Sequence, residues 1–553
     1  MAYNFEIKAL SSLEKCFLDD QLSEKNEHTE FTVFRGQPLA YQIGIIRRDE
    51  VPYKTRFEVR LRGEIADFAT VRQVISMPSH YPCIATTCDQ NYLRNKPGLC
   101  PDMLRPLHYR GQIVLPAHML QALWIEVDLP AALSSGKHSL TVELYNPFTG
   151  EFCAEKTVTV RLLDMELPAQ RLIHTEWFYT DCLAEYYHVR AFSERHWRII
   201  EAFLRTAVRN GINMILTPIF TPEIDTYVGG ERLTTQLLGI TVVGKDHYEF
   251  DFSLVERWVD LCLSVGVKYF EIPHFFTQWG SENAPKFIAT VNGKKKRIFG
   301  WETDACGEKY KTFLGQMIPA LIAFLEKKGV AKNTFFHISD EPHLKHMEQY
   351  LRCKNIIEPL VGGLPIIDAL SDFEFYETGV LKKPVPHIQK IVPFLDRNVE
   401  GLWTYYCGDS GKNGSGRQLA MPLARTRILG VQLWLYNIEG FLHWGYNFYN
   451  NECSYDRADP FLYTDADFMV PSGDSALVYP GENGVPYESI RINALREAME
   501  DMRLLDLAAS RLGRDRVVEI IDELAGERIT FVSYPTDADF LLGLRDRLIS
   551  EIE

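Results

Sequence analysis

Two adjacent carboxylates, Asp340 and Glu341, stand in the stretch FFHISDEPH (residues 335–343), after an apolar run and before a proline. Like charges this close repel, and taking them out of water costs several kcal/mol per ion unless partners or a shared proton compensate. A carboxyl pair at the end of a buried strand suits general acid–base work, in which one member carries a proton and the other an anion. Pro342 disfavours the right-handed helical region for Glu341 and directs it toward extended geometry. The two side chains then diverge and can serve separate tasks. Capping of a helix N-terminus is the competing use of such a pair, so the surroundings must decide.

Those surroundings are aromatic. Trp177 (TEWFY), His274 (PHFFTQW), Asp368, Trp403, Tyr405 and Tyr406 (WTYYCGD), and Trp444 and Asn447 (HWGYNFYN) each lie on or just after an apolar, strand-like run. Flat rings with polar tips suit sugars, although Trp and Tyr also serve as ordinary packing. His337 reads as a satisfied core histidine. Eleven cysteines, an odd number without CxxC pairs, read as reduced thiols. Cys83, Cys88 and Cys100 are spaced by five and twelve, which fits no zinc pattern. No metal and no cofactor is expected.

The elements that must position these residues change rhythm along the chain. Residues 1–165 alternate apolar and polar in short runs broken by Gly, Pro and Asn, as in TRFEVRLRGEI and HSLTVELYNP, the pattern of a β-sandwich. The segment around residues 79–104 has too many breakers for a strand and reads as a long loop. From 166 to 510 strands alternate with helices: RLIHTEWFY, INMILTPIF, VKYFEIPHF, NTFFHISDE, LPIIDALS, VPHIQKIVP, EGLWTYYCG and IEGFLHWGYNFY make eight. That predicts an α/β fold, a (β/α)8 TIM-like barrel, irregular where FLDRNVE leaves little room for a helix between strands six and seven. Residues 511–553 read as C-terminal helices. In such barrels chemistry gathers at the C-terminal ends of the strands, where the carboxylates and aromatics above all fall.

A net charge of −15 with dispersed basic residues argues against nucleic acid and membrane surfaces as partners. The run KKKR, Lys294 to Arg297, reads as a solvated hairpin tip. The N-terminal residues lack a basic segment leading into an apolar one, and no 18-residue apolar stretch occurs, so a cytoplasmic location is expected.

FFHISDEP on the fourth strand, LWTYYC on the seventh, GFLHWGYNFY on the eighth, and PSGDSALVYPGENGVPYESIR followed by LREAMEDMRLLDLA resemble glycoside hydrolase family 123 and the related domain of unknown function 4091. The resemblance implies an exo-acting, retaining β-N-acetylhexosaminidase, in particular a β-N-acetylgalactosaminidase, whose substrate's own 2-acetamido oxygen is the nucleophile. It implies that Asp340 orients the acetamido N–H and that Glu341 protonates the leaving oxygen and then activates water. Tyr405 or Tyr406 would bond the acetamido oxygen, and Trp403 or Trp444 would floor the pocket. Two alternatives remain. DEP is also similar to the NEP ending of strand four in ordinary retaining glycosidases, with a nucleophile expected on strand seven, where only Asp409 and, before strand eight, Glu439 are near. A non-catalytic carbohydrate-binding barrel is the other.

Overall fold

The computed structural model describes residues 3–49, 55–107, 111–408 and 410–553. By packing the chain divides into two units, one of residues 1–170, 415–435 and 487–553, the other of 171–414 and 436–486. Segments 415–435 and 487–510, expected from sequence within the barrel, therefore pack in the first unit. The reason is a set of buried ion pairs on the helix Ile490–Leu512: Arg491 to Asp102 at 2.7 Å, Arg496 to Glu126 at 2.5 Å, and Asp501 to Arg427 at 2.6 Å.

The first unit holds two five-stranded sheets. One is ordered Phe5–Ser11, Leu39–Arg47, Leu120–Val127, Ala69–Ser79, Gly98–Pro106; the other is Glu30–Arg35, Phe152–Glu166, Gly136–Tyr145, Arg56–Arg62, Gln112–Val114. Alternate residues of both sheets, among them Tyr41, Ile43, Ile45, Leu123, Ile125, Leu140 and Val142, form one core. The expected loop at 79–104 is shorter than read, because Gly98–Pro106 pairs with Ala69–Ser79. The helices Arg514–Ala525 and Ala538–Ile552 follow at the C-terminus.

In the second unit, strands are numbered in chain order: β1 (Ile173–Glu176), β2 (Met214–Leu216), β3 (Tyr269–Glu271), β4 (Thr334–Phe335), β5 (Ile367–Ala369), β6 (Lys383–Val385), β7 (Trp403–Tyr405) and β8 (Gly440–His443). One parallel sheet runs β4-β3-β2-β1-β8-β7, and a separate parallel pair joins β5 to β6. Single parallel bridges, Phe336 to Ile366 and His387 to Tyr405, lie between them. This is a mixed α/β arrangement; one continuous ladder around all eight strands is not what forms. The strands are two to four residues long, much shorter than the apolar runs suggested, and β6 overlaps VPHIQKIVP only at Val385.

Helices fall where their patterns place them. Ser193 caps Glu194–Arg209 by accepting from the His196 amide, and Gly211 beyond its end takes φ +84°. Ser253–Val265 ends on Gly266 in the left-handed region. The segment after β2 supplies Gly239–Gly244 and His247–Asp251, which pair with a hairpin, Phe287–Val291 and Lys294–Phe299, in a four-stranded sheet. Lys294 to Arg297 are exposed on it. Among the described residues no helix is long and apolar enough to cross a membrane.

Candidate active site

Parallel strands deliver their last residues to one rim. Trp177 follows β1, Glu271 ends β3, Asp368 lies within β5, Tyr405 ends β7 and Trp444 follows β8. Beyond β4 a side chain joins the backbone bonding: both Asp368 carboxylate oxygens accept from the Ile338 amide, at 3.0 and 3.2 Å. Two residues later come Asp340 and Glu341. Glu341 has φ +42°, so the extended geometry expected before Pro342 is replaced by the left-handed region. The proline still excludes the right-handed helix, but the chain turns the other way, held by the Trp279 amide on the Asp340 carbonyl (3.3 Å) and the Tyr405 phenol on Glu341 Oε1 (2.5 Å). A non-glycine residue there stores about 1–3 kcal/mol of strain, of the kind that collects at functional sites.

Asp340 and Glu341 line a cavity of about 190 Å³ together with Trp177, Ile224, Asp225, Gln278, Trp279, Tyr405 and Trp444. Burial, and then the charge of Glu341, push the Asp340 carboxyl well above the usual range, against the opposing charge of His337. Burial and the Glu341 charge likewise hold the Tyr405 phenol well above its ordinary value, so it stays a donor. The arrangement is a carboxyl pair, one member bonded by a phenol, in a cavity that indoles also line.

Two of these indoles, Trp177 and Trp444, are anchored on carboxylates. Trp177 donates its Nε1–H to Glu271 Oε1 (2.7 Å), and Thr175 donates to the other oxygen (2.6 Å). His337 then bridges Glu271 (2.7 Å) and Asp368 (3.1 Å), and the Tyr350 hydroxyl donates to Asp368 (2.6 Å). Burial opposes a charge on His337, but the bonds to Asp368 and Glu271 prevail and push it up to about 10. On the opposite side Trp444 donates to Asp474 Oδ2 (3.0 Å), which also accepts the Gly408 amide (2.9 Å). His443 accepts the Gly445 amide on Nδ1 (3.0 Å), so its Nε2 donates to Asp474 Oδ1 (3.3 Å). Asp474 is the aspartate of PSGDSALVYPG, whose role the sequence did not reveal.

The other residues singled out from sequence lie outside the cavity wall. His274 is buried beneath it, edge-on to Trp177 (5.5 Å) and 4.4 Å from the His337 ring. Burial and the His337 charge keep it neutral, well below its ordinary value. Asp368 is fully buried in the His337 network. Trp403 packs against Phe335 (5.4 Å) and Gly440. Tyr406 packs on Phe441 and His443, at 5.1 and 5.4 Å. Asn447 spends its amide on the Tyr179 backbone, accepting at 2.9 Å and donating at 3.0 Å. Asp409 lies outside the described residues, and Glu439 precedes β8 and pairs with Lys383, the first residue of β6 (3.0 Å), at the strands' starting ends.

His274, His337 and Asp368 each bring a possible ligand atom within 4.8 Å of the others. Both His337 nitrogens are bonded to carboxylates, Nδ1 to Asp368 and Nε2 to Glu271. Asp225, Gln278 and Trp279 were missed. They follow β2 and β3 in TPEIDTY and FTQW, and the rule of reading past each strand end would have found them.

A carboxyl pair and anchored indoles at the C-terminal ends of parallel strands define a glycoside hydrolase. Residues 177–508 match the family described as glycoside hydrolase 123, catalytic domain; the chain belongs to glycoside hydrolase family 123. A family 123 glycoside hydrolase from Clostridium perfringens, studied for glycolipid glycan hydrolysis, is 14% identical and superposes with a TM-score of 0.72, covering 99% of this chain and 98% of that one. At that identity the likeness concerns the fold. An FMN-binding β-glucuronidase from Facaelibacterium prausnitzii is 10% identical, with a TM-score of 0.32 over 85% of this chain and 59% of that one. A search of curated proteins by sequence found no match.

Proposed function

We propose that the protein is an exo-acting, retaining β-N-acetylhexosaminidase, of galacto preference by its family, in which the substrate's acetamido oxygen attacks the anomeric carbon. The observation that carries the proposal is one cavity lined by Asp340 and Glu341 together, with the Tyr405 phenol on Glu341. Ordinary retaining enzymes need a second carboxylate across the bond, about 5–5.5 Å away, and substrate-assisted ones do not. Two carboxyls on neighbouring residues suit the second case. Glu341, with one oxygen gripped by Tyr405, offers the other to protonate the leaving oxygen and then to activate water. The one proton of the pair reaches the leaving oxygen through Glu341, and Asp340, then a carboxylate, accepts the acetamido N–H beside the developing oxazolinium charge. Trp177 and Trp444 supply flat faces for the acetyl group and the ring. A volume below the roughly 300–1,000 Å³ of drug-sized sites supports occupation by a single terminal sugar.

We take the eight parallel strands as an irregular (β/α)8 barrel, supported by the two bridges that link the sheet to β5 and β6. The function is tested with matched aryl β-glycosides of N-acetylhexosamines and plain hexoses. Turnover restricted to the acetamido sugars is expected; turnover restricted to plain hexosides removes acetamido participation.

A further inference from the structure

Two polar ends on the cavity wall have nothing to bond. Asp225 is 7% exposed and Gln278 9%, and both line the cavity. Among the described residues neither Asp225 Oδ2 nor Gln278 Nε2 has a hydrogen-bond partner. Gln278 Oε1 accepts from the Asp225 amide at 2.7 Å, which fixes the side-chain amide and leaves its buried NH2 without a partner. Asp225 itself sits at φ +47°, held by the Ser454 hydroxyl on its carbonyl (2.6 Å) and, one residue earlier, by Arg232 on the Ile224 carbonyl (3.0 Å).

A buried acceptor and a buried donor left unpaired are each expensive. They persist in a strained turn when something else over-determines them, and a ligand is the usual reason. On the wall of one cavity, an acceptor-only carboxylate and a donor NH2 match a hydroxyl, which donates once and accepts twice. Burial raises the Asp225 carboxyl to about 6, with the Arg232 charge opposing, so near neutral pH it remains an acceptor.

We propose that Asp225 and Gln278 read the ring hydroxyls at positions 3 and 4 of the bound sugar and so set the choice between galacto and gluco configuration. This rests on the substrate-assisted reading of the same cavity. With the leaving group at Glu341 and the acetamido group at Asp340, the next positions around the ring are 3 and 4. Asp225 lines the same cavity as Asp340. Gln278 is tied to the same place, because the amide of its neighbour Trp279 bonds the Asp340 carbonyl.

The test compares the parent, Asp225→Asn and Gln278→Met on aryl β-glycosides of N-acetylgalactosamine, N-acetylglucosamine and their 3-deoxy and 4-deoxy forms. Losing one charge-assisted hydrogen bond should lower kcat/KM by about 10- to 100-fold on the better fully hydroxylated substrate. On the deoxy sugar that lacks the bonded hydroxyl, already slow with the parent, the further loss should be under about threefold, and the galacto-to-gluco ratio should shrink. The Asp225→Asn melting temperature should change little, because the burial cost of the charge and its attraction to Arg232 are removed together. Equal losses on every substrate, or a parent indifferent to both deoxy changes, overturn the proposal; equal losses rescued by azide would make Asp225 a nucleophile instead. The same set is run with 2-hydroxy sugars. Should the parent cleave only those, acetamido participation fails while the deoxy comparison still decides Asp225 and Gln278. Should it cleave none, calorimetry of N-acetylgalactosamine binding to parent and Asp225→Asn decides, and equal affinities overturn the proposal.

Discussion

Replacing His337 by Phe would leave Glu271 and Asp368 buried without the cation between them. Both carboxylates and the imidazole are fully buried, with contacts of 2.7 and 3.1 Å. Removing one partner of a buried charged group costs about 3–5 kcal/mol. The pH dependence gives a second estimate. A histidine pushed up to about 10 from its ordinary 6.5 contributes stability that is fully present below pH 6.5 and is lost as pH rises through 10. At 1.36 kcal/mol per decade that is about 5 kcal/mol, in accord with the first figure. The His337→Phe variant should therefore melt roughly 5–10 °C lower near pH 6.5, and the gap should close toward pH 10. Scanning calorimetry of both proteins between pH 6 and 10 reads this directly. Equal melting temperatures near pH 6.5, or a gap that stays constant to pH 10, would show that His337 carries no charge there and refute the reasoning.

Glu341→Gln should lower turnover of alkyl glycosides by roughly 10²–10⁴-fold, the range of general acid catalysis, and that of nitrophenyl glycosides far less, because a good leaving group needs no proton; steady-state kinetics on the two series checks it. In Gly440→Ala the added methyl would meet the Trp403 ring at 2.2 Å on the neighbouring strand, costing about 1–3 kcal/mol or more by overpacking. Gly315→Ala, on an exposed helical position with open space around it, should instead gain up to about 1 kcal/mol. Denaturant midpoints compare the two.

The carboxyl pair was legible because it is local: two charges at the end of an apolar run, stopped by a proline. So were the aromatic clusters, since the strand-end rule marks them in advance. Which of them reach the cavity was not, because parity along a strand fails when the strand is two to four residues long and its successors turn irregularly. Trp403 and Trp444 look alike in sequence; the first is buried against Gly440 and the second lines the cavity. His337 reads correctly as a satisfied core histidine, but the carboxylates that satisfy it come from 66 positions before and 31 after, a pairing no local pattern encodes. The same holds for Asp474 under Trp444. Segments 415–435 and 487–510 carry helical patterns indistinguishable from barrel helices, and only buried ion pairs such as Arg491 to Asp102 assign them to the first unit.

The nucleophile itself can be interrogated through the substrate. Aryl β-glycosides of N-acetyl, N-fluoroacetyl, N-difluoroacetyl and N-trifluoroacetyl hexosamine differ chiefly in how well the amide oxygen attacks. The account predicts that kcat/KM falls steeply with each fluorine, by orders of magnitude across the series. Rates that stay level across it would place the attacking group on the protein and contradict the role assigned to Asp340 and Glu341.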